Sequence, residues 1–309
     1  FRSFALGSGS GVMSDTVYEY LRDSDVLIAL GTSLTKHPMV TTVPPGKIII
    51  HNTNDPQDLY KSYNIDFPLL GDTKLVIEQL IESCKDYLSG KIIEDNVTNN
   101  INEIRQKYIQ NWSTHLNAND KPINPYRVIW EFMKNINPDN AIVTHDAGSP
   151  RYQMMPFYQS GSPRSYLGWG KSHQLGTGLG LVIGAKLAAP DKFCVNFMGD
   201  AAFGMTGLDF ETSVRAKLPI TTIVFRNSTM AIETNHMKIS HDKYKARDLN
   251  GDYADIAKAL GGWSMSISDP QEIGPAIMKA KEKNEEGIAA LLQFNTSKDQ
   301  DFANMRPFG

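Results

Sequence analysis

Residues 199–229, GDAAFGMTGLDFETSVRAKLPITTIVFRNST, constrain the fold of this 309-residue chain most tightly. They follow an apolar run over 193–198 that reads as a buried parallel strand, since a strand covered on both faces shows no polar alternation. The chain turns at Gly199-Asp200-Ala201-Ala202, and a helix is predicted over 208–217, stopped by Leu218-Pro219. A second apolar strand over 220–225 delivers Arg226-Asn227-Ser228-Thr229. In such a strand–helix–strand unit the strands run parallel with a right-handed crossover. Both then end at one edge of the sheet, where open α/β sheets bind ligands. Asp200 and Asn227, 27 positions apart, share that edge.

An aspartate and an asparagine offer hard oxygens, which suit Mg²⁺ rather than zinc. The backbone N–H groups of Ala201 and Ala202 can face an anion, and their small side chains admit a phosphate. Mg²⁺ keeps phosphate oxygens and water in its octahedral shell, so the unit is expected to hold Mg²⁺ with a diphosphate group. Gly199-Asp200-Ala201, followed at this interval by Asn227, resembles the thiamine diphosphate motif of acetolactate synthases and related 2-oxo acid decarboxylases. The resemblance implies that Asp200 and Asn227 bind the metal through their side chains and Thr229 through its backbone carbonyl. It places Gly199, Ala201 and Ala202 against the cofactor. The family's motif ends in two asparagines; here Arg226 takes the first place and Asn227, the ligand, the second.

The length allows two domains of ordinary size. With 41% hydrophobic residues, a mean hydropathy of −0.32 and apolar runs of strand length, neither a transmembrane span nor a signal peptide is expected. A formal net charge of −3 with scattered basic residues gives no nucleic-acid footprint. Cys84 and Cys194 form no CxxC pair, which argues against structural zinc and makes a reducing cytoplasm the simplest setting.

Residues 1–90 read as a first α/β domain, expected to be truncated at its N-terminus. It has a buried strand within 23–30 ending in Gly31-Thr32-Ser33, a second strand over 47–51, and a helix over 72–87. Gly7, Gly9 and Gly11 either cradle a nucleotide or form a flexible turn. The DVLIALG strand and the later His51, Asp55 and Pro56 resemble the six-stranded, Rossmann-like middle domain of the same family. Acetolactate synthases bind FAD there. Thr32-Ser33-Leu34-Thr35-Lys36-His37-Pro38 lacks their arginine–aspartate-rich character, which argues against FAD and leaves it an open alternative. Residues 91–120, polar with a helix near 101–112, read as a solvated linker.

Residues 121–309 form the second domain. Pro125 suits the first position of a helix over 126–133. A strand over 141–144 ends in His145-Asp146-Ala147-Gly148-Ser149. Here the resemblance implies that Ala147, Gly148 and Ser149 meet the diphosphate, while Asp146 either braces the loop or touches the cofactor. A helix over 177–189 carries Gly178, Gly180 and Gly184, each costing about 1 kcal/mol against alanine, which points to close backbone packing. Its GxGxG has no strand before it and is not a dinucleotide fingerprint. Leu175, 25 positions before Asp200, is a core leucine on its own terms; the resemblance implies that it props the thiazolium ring and bends the cofactor. Glu233, 6 positions after Asn227, is either a surface glutamate at a helix N-terminus or, as the resemblance implies, an acid acting on the substrate carboxylate and on proton transfer. His173 and His236 are either pocket residues or, on the plainer reading, structural or exposed. Alternating helices and strands over 253–294 complete the sheet.

The resemblance implies two three-layer parallel-sheet α/β domains: a Rossmann-like middle domain and a thiamine diphosphate-binding domain. It implies a thiamine diphosphate- and Mg²⁺-dependent lyase or transferase acting on a small 2-oxo acid. The cofactor accepts electrons as carbon dioxide leaves, giving an aldehyde or, after carboligation, a 2-hydroxy-2-keto acid. In the family a glutamate that activates the cofactor comes from an N-terminal pyrimidine-binding domain. The chain alone is therefore expected to be incomplete, with that domain in a longer polypeptide or on a separate subunit, in a homodimer or homotetramer. A rival of another class is a non-catalytic nucleotide-binding module of two Rossmann-like domains.

Overall fold

A computed structural model describes residues 4–8, 13–36, 42–89, 96–168, 174–298 and 301–303. The chain divides into two compact units between Gln106 and Lys107. In the first, helix α1 (Asp15–Asp23) precedes strands β1 (Val26–Leu30), β2 (Ile48–Thr53) and β3 (Phe67–Leu70), then helix α2 (Thr73–Leu88). The strands form a parallel sheet in the order β1-β2-β3. Helix α2 starts where the Asp72 carboxylate accepts the N–H groups of Lys74 and Leu75, at 3.0 and 3.2 Å.

Three strands are present among the described residues. One expectation fails in this unit: strand β1 is not buried. Side chains alternate across a pleat, and Val26, Ile28, Ile48 and Phe67 share a face that is 41–57% exposed because no described element covers it. Gly9, Gly11, His37 and Pro38 lie outside the described residues.

The stretch read as a solvated linker is largely helical, as α3 (Val97–Asn111) and α4 (Ser113–Leu116). Tyr108, Trp112 and Leu116 recur every four residues and pack into the core of the second unit. Apolar spacing within a polar stretch overrides its average composition.

The second unit continues with helix α5 (Pro125–Asn135), strand β4 (Ala141–His145), helix α6 (Ser149–Met154), strand β5 (Tyr166–Leu167), helix α7 (Thr177–Ala188) and strand β6 (Phe193–Gly199). Helices α8 (Asp200–Thr206) and α9 (Phe210–Arg215), strand β7 (Thr221–Arg226), and helices α10 (Lys238–Tyr244) and α11 (Tyr253–Ala259) follow. Strand β8 (Trp263–Ile267), helix α12 (Ile273–Glu285) and strand β9 (Ala290–Asn295) end the series. All six strands are parallel, in the order β5-β4-β6-β7-β9-β8. Alternate residues sort the layers. Val195, Phe197, Ile223 and Phe225 meet α5 and α12 on one face; Cys194, Met198 and Val224 meet α7, α8 and α11 on the other. Asn124 caps α5 by accepting the Tyr126 N–H at 3.0 Å, with Pro125 at the first helical position.

The helix expected over 208–217 starts earlier and breaks once. Asp200 opens α8 directly after the strand, and a 3₁₀ turn at Gly207–Asp209 separates it from α9. Gly207 permits that break, since a Cβ there would lie 2.4 Å from the Phe203 ring. Close packing explains Gly178, whose Cβ would lie 2.4 Å from Asn196 Oδ1, but not Gly180 or Gly184, which face open space.

Asn284 joins three segments. Its Nδ2 donates to the carbonyls of Ile220 and Ile288 at 3.0 and 2.9 Å, and its Oδ1 accepts from the Thr221 hydroxyl at 2.8 Å. Asn284→Ala is expected to lower unfolding free energy by about 3 kcal/mol, because buried partners lose their donors and acceptor. Urea denaturation checks this; an unchanged midpoint at an unchanged slope would show that the network contributes nothing.

Candidate functional site

Strand β4 leads to β5 on one side of it, whereas β6, its neighbour on the other side, leads to β7 in the opposite direction. The carboxyl ends of β4 and β6 therefore flank a topological switch point, where open sheets leave a crevice for ligands. The loop 146–149 leaves β4 there, and Asp200 leaves β6. Gly199 pairs with Phe225, so Asn227, the residue after the end of β7 at Arg226, lies at the same edge.

Asp200 is 2% exposed. Its Oδ2 accepts the Ser228 N–H at 2.6 Å and its Oδ1 the Ala201 N–H at 2.9 Å. The Ala201 N–H is thus engaged by the neighbouring carboxylate. Burial pushes the Asp200 carboxyl up to about 6, against the opposing pull of these donors. Asn227 Oδ1 accepts the Thr229 N–H at 3.1 Å. Ser228 between them has φ +57°, a left-handed conformation uncommon outside glycine and asparagine. A strap at 247–249 holds this loop: Leu249 N–H donates to the Ser228 carbonyl and Met230 N–H to that of Arg247, at 3.1 and 3.0 Å. Both bonds flank Thr229 and leave its own carbonyl out of the ladder. Asp200 and the Asn227–Thr229 loop therefore meet at one sheet edge, through the Ser228 N–H. Among the described residues no group of three His, Cys, Asp or Glu side chains could hold a metal ion.

The second loop is built around Asp146, which is fully buried. Its Oδ1 accepts the N–H groups of Ala147 and Gly176, both at 2.8 Å, and its Oδ2 that of Gly178 at 3.0 Å. Of the two roles open in the sequence, bracing is the one the geometry displays. Burial raises the Asp146 carboxyl pKa and the three donors oppose the rise. Gly148 adopts φ +88°, ψ −160°, a region open essentially to glycine alone. Leu175 Cδ2 lies 3.8 Å from where a Gly148 Cβ would sit. The Asp146 carboxylate thus ties the start of the 146–149 loop, at Ala147, to Gly176 and Gly178 on either side of the α7 entrance.

Glu233 lies on a 3₁₀ turn, Ala231–Asn235, rather than at the start of an α-helix, and is half-buried. His236 follows that turn and is exposed, in keeping with the plainer of its two readings. His173 lies outside the described residues. Sequence reasoning missed the 247–249 strap and Tyr253, whose hydroxyl pKa is raised by burial and by the negative charge of Asp200. Neither carries a local signal, because each reaches the site only through long-range packing. No helix among the described residues is long and apolar enough to cross a membrane.

Two family descriptions match the chain: "Thiamine pyrophosphate enzyme, central domain" over residues 3–80 and "Thiamine pyrophosphate enzyme, C-terminal TPP binding domain" over residues 146–292. The second span begins at Asp146 and contains both loops. The chain is 28% identical over 277 residues to a probable acetolactate synthase large subunit of Methanococcus aeolicus, covering 84% of this chain and 45% of that protein. It is 24% identical to the putative thiamine pyrophosphate-containing protein YdaP of Bacillus subtilis, covering 93% and 49%. A sulfoacetaldehyde acetyltransferase of Alcaligenes xylosoxydans xylosoxydans is 28% identical over 180 residues, covering 57% and 30%. The chain spans at most about half the length of these relatives.

His145 supplies a pH test of the β4 edge. Burial pushes its imidazole pKa down to about 4; the nearby Arg151 charge adds to this, while the bond from its Nδ1–H to the Asp146 carbonyl (3.1 Å) opposes it. The unfolded chain, with an ordinary imidazole, therefore binds a proton more readily than the folded one. This group leaves stability intact above about pH 6.5 and withdraws about 3 kcal/mol as pH falls from there towards 4. His145→Asn should flatten that part of the stability–pH curve, measured by urea unfolding between pH 7.5 and 4. A variant with the wild-type slope would contradict the assignment.

Proposed function

The chain belongs to the thiamine pyrophosphate enzymes, and from that premise we propose that it forms the diphosphate-binding part of a thiamine diphosphate- and Mg²⁺-dependent enzyme that decarboxylates or ligates a small 2-oxo acid, in the manner of an acetolactate synthase. One observation carries the reading: the Asp200 carboxylate is tied to the Ser228 N–H, which brings the Asn227–Thr229 oxygens to the same sheet edge. This donor set fits a hard divalent cation with open positions for phosphate oxygens and water.

When bound, the cofactor supplies an electron sink for the bond to the departing carboxylate. The chain's own residues do the rest. Asp200, Asn227 and the Thr229 carbonyl would hold Mg²⁺. Ala147, Gly148, Ser149, Gly199, Ala201 and Ala202 would lie against the diphosphate, Ala202 through its backbone because its side chain is packed in the core. Leu175, beside Gly148, would support the thiazolium ring. Glu233, four residues beyond Thr229, would hold or deliver a proton near the substrate carboxylate. The greater length of the relatives accommodates a pyrimidine-binding domain, in the same polypeptide or on a separate subunit, with a homodimer or homotetramer as the working assembly. FAD is not part of this reading.

In the complete enzyme, Asp200→Ala should weaken Mg²⁺-dependent thiamine diphosphate binding by more than the roughly 10–100-fold that losing a supporting outer group costs. Titration followed by calorimetry reads this. Tighter binding of an adenine nucleotide than of thiamine diphosphate would instead favour the non-catalytic module. Glu233→Gln should lower turnover about 100-fold while leaving cofactor affinity unchanged, the range expected for a general acid; unchanged turnover would remove Glu233 from the chemistry.

A further inference from the structure

Asp146 does more than satisfy itself. Its backbone N–H donates to the Phe197 carbonyl at 2.8 Å, which fixes it to strand β6. Its carboxylate then reaches 30 and 32 residues along the chain to Gly176 and Gly178. Those two N–H groups flank the entrance to α7, and Leu175 is the residue immediately before. Gly176 is held from the opposite side as well. It adopts φ +93°, the Thr206 hydroxyl donates to its carbonyl at 3.3 Å, and a Cβ on it would lie 2.2 Å from Thr206 Cγ2. Thr206 is the last residue of α8, the helix that Asp200 opens. The peptide carrying Leu175 is therefore clamped between the β4 loop and the helix of the metal site.

A carboxylate suits this position because it only accepts hydrogen bonds, and three donors converge on it. An amide of the same shape would turn an NH₂ group towards at least one N–H. The clamp would then open at Gly176 or Gly178, and Leu175 would lose its fixed distance from Gly148.

We propose that Asp146 is a positioning residue for the bound cofactor, acting through Gly176 and Gly178 to hold Leu175 beside the Gly148 loop. The inference rests on the reading of this edge as the thiamine diphosphate site. It assigns Asp146 no contact with the cofactor.

A double-mutant cycle on the complete enzyme tests it. Thiamine diphosphate affinity at saturating Mg²⁺, and the near-ultraviolet circular dichroism of the bound cofactor, are measured for wild type, Asp146→Asn, Leu175→Ala and the double variant. Asp146→Asn should weaken binding about tenfold, as expected for losing a hydrogen bond to a charged acceptor, and change the dichroism in the same direction as Leu175→Ala. The double variant should bind within about twofold of the weaker single variant, since contacts acting through one element are not additive. Multiplying effects, or wild-type affinity in Asp146→Asn, would overturn the inference while leaving the site reading intact. Failure of the wild-type enzyme to bind thiamine diphosphate would overturn both. If Asp146→Asn does not fold, Asp146→Glu keeps the charge but displaces it by one methylene, and the same cycle with Leu175→Ala decides.

Discussion

Two carboxylates are withdrawn from water at the carboxyl edge of one sheet, and the loops around them take the shapes needed to hold them there. An ionised carboxylate in a dry environment is costly unless hydrogen-bond donors replace its hydration. Asp146 finds three backbone N–H groups and Asp200 two. Two of these donors sit on the neighbouring residue, which is cheap. The others, on Gly176, Gly178 and Ser228, come from segments about 30 positions away and must be brought in by the fold. The left-handed turns at Gly176 and Ser228 lie where those donors are presented. Conformational strain there is offset by satisfying a buried charge. The small residues at the same edge follow from the same crowding, and so does the space they leave for a ligand.

This division explains what the sequence discloses. Apolar runs over 193–198 and 220–225 mark two fully buried strands, because a central parallel strand has no polar face to blur the pattern. The aspartate–asparagine pair is legible for the same reason: each follows such a run, so topology alone brings both to one edge. The strand at Phe67–Leu70 escapes notice because it is four residues long, contains Pro68 and sits at a sheet edge. The start of α8 is obscured by Gly204 and Gly207, which lower helix propensity although the Asp200–Ala202 turn is helical. The bracing role of Asp146 is invisible locally, since its partners lie across the switch point. Spacing identifies the ends of strands well. It does not identify which distant backbone an edge carboxylate will recruit.

Arg226, the residue that departs from the family's paired asparagines, shows how this edge tolerates change. It is the last residue of β7, and its register partner on β9 is Asn295. Its Nη1 donates to Asn295 Oδ1 at 3.2 Å, so the guanidinium turns along the sheet edge towards β9, while the Asn227 side chain bonds within its own loop, to the Thr229 N–H. Its positive charge also pulls the Asp200 pKa down, opposing the effect of burial. Two adjacent residues thereby take different partners: Arg226 bonds across to β9, and Asn227 to Thr229 in its own loop. A change at the first position can retune the charge felt by Asp200 without moving the amide oxygen or the left-handed Ser228 that follows it. The constraint that persists is geometric, because the loop must still offer an N–H to Asp200 and oxygens to the same point. Arg226 satisfies it by binding sideways, where a side chain directed at Asp200 would compete with the Ser228 N–H for the buried carboxylate.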